Sequence, residues 1–203
     1  MKQSEPSRRE LILQALAGLL ESEPGARITT AGLAKRVGVT EAALYRHFPS
    51  KRKMFEGLIE FAEEAVFSRC QLILQEHEDA RVRLQQLAHL VLVFAERNPG
   101  LCRVLTGGAL IGEDEGLQRR VSQFFDRLET QVRQILKEGD IRQGLRPLVS
   151  AGHSADWMMI FIEGRLQRFV RSSFERHPSA EFDHNWRLLA AGLWVAEDLP
   201  AAF

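Results

Sequence analysis

Leu11, Ile12, Ala15, Leu16, Leu19 and Leu20 fall at i, i+1, i+4, i+5, i+8 and i+9, a spacing that puts them on one stripe of a helix. The same period returns along the rest of the chain. Hardly a run of alternating apolar and polar residues is long enough for a strand, so the sequence predicts an all-α fold. Ser7 with Glu10 forms a capping box for the first helix, and "ESEPGAR" ends it. Thr29 or Thr30 then caps a short helix through Val37, Gly38 turns the chain, and Thr40 caps the next helix, which Pro49 stops. Further helices are expected at about Lys51 to Glu76, Ala80 to Glu96, Pro99 to Thr106, Glu115 to Lys137, Ser150 to Phe174 and Glu181 to Glu197. Pro99, Gly107, Gly108, Gly139, Gly144, Pro147 and Pro178 supply the breaks. The first six residues, "GEDEG" and the "DLPAAF" tail read as disordered.

The 203-residue chain has a formal charge of zero, but the charge is unevenly placed. Residues 1–53 carry ten Lys and Arg against five Asp and Glu, and the remainder carries 17 against 22. A basic N-terminal part on an acidic body points to a polyanion met by that part alone. No stretch of 18 apolar residues and no signal peptide is present, and Cys70 and Cys102 sit in apolar helical patterns without metal-type spacing. A cytoplasmic protein with no membrane-spanning segment is expected.

Two short helices around a Gly turn fit a helix-turn-helix, whose second helix enters the major groove. Ala34, Val37 and Leu44 are suited to the inner contact, leaving Thr40, Glu41, Ala43 and Tyr45 to point elsewhere. Small Ala42 and Ala43 permit close approach to base edges, and an Ala methyl can meet a thymine methyl. Tyr45, His47 and Lys51, with Thr29 and the N–H groups of the helix it caps, suit phosphate. The DNA-binding candidates are Thr29, Thr30, Thr40, Glu41, Ala42, Ala43, Tyr45, Arg46, His47 and Lys51. A tight corner in a helical bundle is the competing account, and the cluster Arg46, Lys51, Arg52 and Lys53 weighs against it.

"ITTAGLAKRVGVTEAALYRHFPSKRKMF" resembles the DNA-binding segment of TetR-family regulators. That resemblance implies a TetR-like architecture: a three-helix DNA-binding domain over residues 1–50 and a helical dimerisation and partner-binding domain over 51–203. Dimers of this kind pair through their last two long helices and read a roughly palindromic double-stranded site. "LIEFAEEAVFSR", "FAERNPGLCRVLTGGAL", "QFFDRLETQVRQ" and "RFVRSSFERHPSAEFDHNW" extend the likeness, which is similar to the nucleoid occlusion factors of that family from Arg8 to about Trp186. It implies a nucleoid-associated protein that, bound to chromosomal sites, engages the division GTPase FtsZ and blocks septum assembly. It also places the FtsZ contact on Phe61, Arg69, Leu90, Arg97 and Asn98. Phe61 and Leu90 would anchor an extended peptide between flanking arginines. Phe61 equally suits a core position, and Arg97 suits the negative end of its helix.

No HExxH, GxSxG, P-loop or GxGxxG appears, so no enzyme activity, cofactor or metal is expected. His153, Asp156 and Glu163 share a helix in a pattern more often solvated than metal-binding. "WMMIFI", Trp157 to Ile162, is apolar all round its helix and reads as dimer core, with the lining of a ligand pocket as the other reading. The second account of the whole chain is a ligand-responsive TetR-type transcriptional repressor.

Overall fold

The computed structural model describes residues 6–23 and 28–195. Lys2, most of the "ESEPGAR" turn, Glu197 and the "DLPAAF" tail lie outside the described residues. Among those described there are nine helices and no strand. They are α1 (Arg8–Ser22), α2 (Thr30–Val37), α3 (Glu41–His47), α4 (Lys51–Glu76), α5 (Ala80–Arg97), α6 (Pro99–Leu105), α7 (Glu115–Gln143), α8 (Ala151–Arg171) and α9 (Phe182–Ala191).

The chain packs as two units, Met1–Glu64 with Arg97–Val121, and Ala65–Glu96 with Ser122–Phe203. In the first, α1 begins with the Ser7/Glu10 capping box and packs against α2, α3 and α6. Ile12, Leu16, Leu19 and Leu20 supply its buried face, while Leu11 and Ala15 are half-buried. Each fully buried aliphatic side chain contributes about 1.5–3 kcal/mol. The α1–α6 approach is close enough to require glycine: a Cβ on Gly100 would lie 2.1 Å from the Ala17 carbonyl oxygen. Arg103, buried in the apolar run of α6, donates to the carbonyls of Leu20 at 2.6 Å and Glu23 at 3.1 Å. It thereby satisfies the open C-terminal end of α1, and its own burial pulls its pKa below the usual guanidinium range.

In the second unit, Val66, Ile73, Leu84, Leu128, Ile162 and Leu166 belong to the buried core. Three boundaries differ from expectation. Helix α7 continues through Gly139 to Gln143; a Cβ at 139 would come within 2.7 Å of the Ala80 Cβ, so the glycine serves that close approach rather than a break. Gly144, at φ 66°, ends the helix instead. Helix α8 stops at Arg171, where Ser173 and Phe174 take positive φ. Helix α9 stops at Ala191, and Trp194 lies beyond it in an isolated bridge to Pro147. Backbone bonds from Leu148 N–H to the Leu193 carbonyl, 2.9 Å, and from Val195 N–H to the Arg146 carbonyl, 3.0 Å, draw that segment out of helix.

Candidate nucleic-acid interface

Side-chain caps set the geometry of α2 and α3. The Thr29 hydroxyl accepts from Gly32 N–H at 3.1 Å, which settles the cap on Thr29, and the Thr40 hydroxyl accepts from Ala43 N–H at 3.2 Å. Between them Gly38 takes a left-handed conformation, φ 74°, and its N–H returns to the last carbonyls of α2. Ala34 and Leu44 are buried and Val37 is half-buried, as the inner contact requires. Phe48, 1% exposed, closes the motif after α3.

The outward surface of this pair carries the DNA candidates. Thr29, Thr40, Glu41, Ala42, Tyr45, Arg46 and His47 are exposed, and Thr30 and Ala43 half-buried. Glu41 is not isolated: its Oε2 accepts from the Thr30 hydroxyl at 2.6 Å. Tyr45, Arg46 and His47 make no hydrogen bond or ion pair among the described residues, so their polar groups face solvent. Lys35 and Arg36 add exposed cations at the end of α2. With Thr29 and Gly32 they border an open cleft of about 410 Å³. Sequence reasoning passed over both, although basic residues ending a helix beside a turn were a legible signal.

Lys51 differs from a free phosphate-seeking cation, because it is ion-paired to Glu113. Arg52 is likewise engaged, by Glu56 at 2.8 Å and Asp114 at 3.1 Å, and these carboxylates hold its pKa above the ordinary value. Lys53 pairs with Glu56 at 2.6 Å. The hydrogen bonds from Lys53 and Arg52 keep Glu56 below the usual carboxylate range. Arg120 reaches Glu63 at 2.9 Å and Glu60 at 3.3 Å. The acidic loop read as "GEDEG" thus neutralises cations at the start of α4, a pairing hidden by 62 residues of separation. Arg9 stacks 4.9 Å over the Phe48 ring and lies 3.6 Å from Glu60.

The partner-binding candidates fall in both units. In the first, Phe61 is 50% exposed and so is not a core residue; Arg97 is exposed at the last turn of α5, and Asn98 precedes α6 without a side-chain cap bond. In the second, Arg69 is exposed and Leu90 half-buried. The segment "WMMIFI" is not buried on all sides within one chain. Met158, Met159 and Ile162 point into the core, whereas Trp157 and Ile160 are each 55% exposed, and on α9 Leu188 is 78% exposed.

No group of His, Cys, Asp and Glu suited to a metal occurs among the described residues. His153 is tied to its own helix cap, with Nδ1 2.7 Å from the Ser150 hydroxyl. Burial pushes the Cys70 thiol up to about 11 and the Cys102 thiol up to about 12, far from the reactive range. In the second unit an open cleft of about 510 Å³ is lined by polar groups of Gln85, Gln86, His89, Glu181 and Asp183, with Phe182 beneath.

Residues 12–58 match the family model of bacterial regulatory proteins of the tetR family, and residues 78–194 match the SlmA-like tetracyclin repressor-like C-terminal domain. Nucleoid occlusion factor SlmA of Marinobacter nauticus is 74% identical over 194 residues, covering 96% of this chain and 100% of the relative. The factor of the same name from a Marinomonas species is 53% identical over 195 residues, 96% of this chain and 99% of its own. The fold is shared with the fatty acid degradation regulator FadR of Bacillus halodurans, at TM-score 0.80 and 14% identity over 94% of this chain and 98% of that one. PfmR of Thermus thermophilus gives TM-score 0.74 at 20% identity, over 94% and 100%. The chain belongs to the TetR family of bacterial regulatory proteins, among its nucleoid occlusion factors.

Proposed function

We propose that this protein is a DNA-bound inhibitor of cell division, which reads a roughly palindromic chromosomal site through α3 and engages FtsZ to block septum assembly over the nucleoid. The observation that carries the reading is 74% identity across 96% of the chain to a nucleoid occlusion factor. The exposed α3 side chains support the DNA half: Tyr45 and Arg46 position on phosphate, and the groups at Thr40 to Ala43 meet base edges. Homodimers form through the uncovered apolar faces of α8 and α9, where Trp157, Ile160 and Leu188 would otherwise stay in water.

FtsZ is contacted by Phe61, Arg69, Leu90, Arg97 and Asn98. An exposed aromatic and exposed arginines suit an extended peptide with apolar and acidic groups, and the arginines stay available because neither forms an ion pair among the described residues. The test is fluorescence polarisation of the FtsZ C-terminal tail with wild type, Arg69→Asp and Arg97→Asp, with and without saturating DNA. Each reversal is expected to abolish tail binding while DNA affinity stays within about two-fold, since both residues lie outside α2 and α3. Wild type that ignores the tail even on DNA, or two variants that bind it like wild type, would overturn the FtsZ assignment.

A further inference from the structure

We infer that Glu41 reads a cytosine in the DNA site and that Thr30 holds it in position to do so. The inference rests on α3 being the helix that enters the major groove, and it deepens that reading. Glu41 is the sole carboxylate of α3, in a stretch otherwise populated by groups that seek or tolerate phosphate. At a polyanion surface an exposed carboxylate is repelled unless it meets a hydrogen-bond donor. Glu41 takes no cation as partner among the described residues, although the same unit holds Lys35, Arg36 and Arg46. Its one side-chain hydrogen bond among the described residues is from a neutral hydroxyl, Thr30 Oγ1 to Oε2 at 2.6 Å. The charge is therefore oriented without being neutralised.

The major groove offers amino donors on cytosine N4 and adenine N6. Beside N6, adenine presents the N7 acceptor, which repels the second oxygen of a carboxylate. Cytosine has no acceptor there, so an acceptor-only side chain selects cytosine. Ala42 and Ala43, following at once, offer no competing donor or bulk that would hold the backbone off. Thr30 is a positioning residue: with one carboxylate oxygen tied to α2, the rotamer of Glu41 is restricted before DNA arrives.

The experiment is selection from a pool of randomised duplexes, followed by titration of the selected site and its single-base variants. It compares wild type with Glu41→Ala, Glu41→Gln, Thr30→Val and Thr30→Ser. Wild type is expected to favour cytosine at one position of each half-site. Glu41→Ala should lose about 5- to 150-fold of that discrimination, and Glu41→Gln should shift it toward adenine, whose N6 and N7 match an amide. Thr30→Val should weaken the cytosine preference while Thr30→Ser, which keeps the hydroxyl, restores it. Unchanged base preference in both Glu41 variants, or a uniform gain of affinity for every sequence in Glu41→Ala, would overturn the inference and leave Glu41 a helix-end residue. A wild type that selects no sequence would instead remove the groove-entering role of α3.

Discussion

Lys51 and Glu113 form an ion pair at the start of α4, with 22% and 15% of their side chains exposed. A phosphate that reaches Lys51 must displace this carboxylate, so the pair sets the cation's availability to DNA. Glu113→Gln is expected to tighten binding to a mixed-sequence duplex and to steepen the log-log salt dependence by about 0.9. Lys51→Ala should cost more in that background than in wild type, whereas Arg46→Ala, whose charge is already free, should flatten the slope by about 0.9 in either. Salt-titrated polarisation checks all three; equal slopes for wild type and Glu113→Gln would show that Lys51 stays away from the duplex.

Trp157 and Ile160 on α8 and Leu188 on α9 are exposed in the single chain. The double variant Trp157→Glu and Leu188→Glu should sediment as a monomer at micromolar concentration while keeping its helical circular dichroism. It should also lose site-specific DNA binding, because a monomer reads one half-site. A dimer that survives both charges would place the interface on another face.

Gly100 meets the Ala17 backbone at a distance no side chain tolerates. Gly100→Ala is expected to destabilise the fold by about 1–3 kcal/mol through overpacking, despite alanine's better helix propensity. Urea melts measure this, and an unchanged midpoint would mean that α1 and α6 part at no cost. Leu44→Ala, at a fully buried site, should cost about 2–5 kcal/mol.

Glu163 keeps an exposed side chain, yet partial desolvation on α8 raises its carboxyl above the ordinary range, and the nearby Asp156, Glu129 and Asp126 raise it further. Ionisation is therefore disfavoured in the folded state. The stability present while Glu163 is protonated is lost as pH rises from the unfolded value through the raised folded value. Glu163→Gln should raise the melting temperature at about pH 7 and make little difference at about pH 3, where both states bind the proton. Scanning fluorimetry at the two pH values decides it; a lower melting temperature at neutral pH would show that the ionised form is welcome.

Helix ends that carry their own side-chain signal are legible in the sequence. Ser7 with Glu10, Thr29, Gly38, Thr40 and Ser150 all sit where local chemistry puts them. The ends of α7 and α9 are not legible, since Gly139 answers to Ala80 and Trp194 to Pro147, partners far along the chain. The same division runs through the candidate site. Tyr45, Arg46 and His47 can be read from spacing, whereas the ties from Lys51 to Glu113 and from Thr30 to Glu41 need the fold. Periodicity also marks Trp157 and Phe61 as apolar without telling which apolar residues stay uncovered.

Arg103 binds carbonyls of α1 across 83 residues of chain, and α6 belongs to the same unit as α1, α2 and α3. A ribosome that has released only the first three helices has already delivered every DNA candidate from Thr29 to His47. The unit they stand on still lacks α6, the Gly100 contact and the cap on α1. Chains emerge at about 5–20 residues per second, far more slowly than a loop closes. The segment carrying Gly100 and Arg103 therefore follows those residues out of the tunnel by seconds, and only then is the packing beneath the DNA candidates complete.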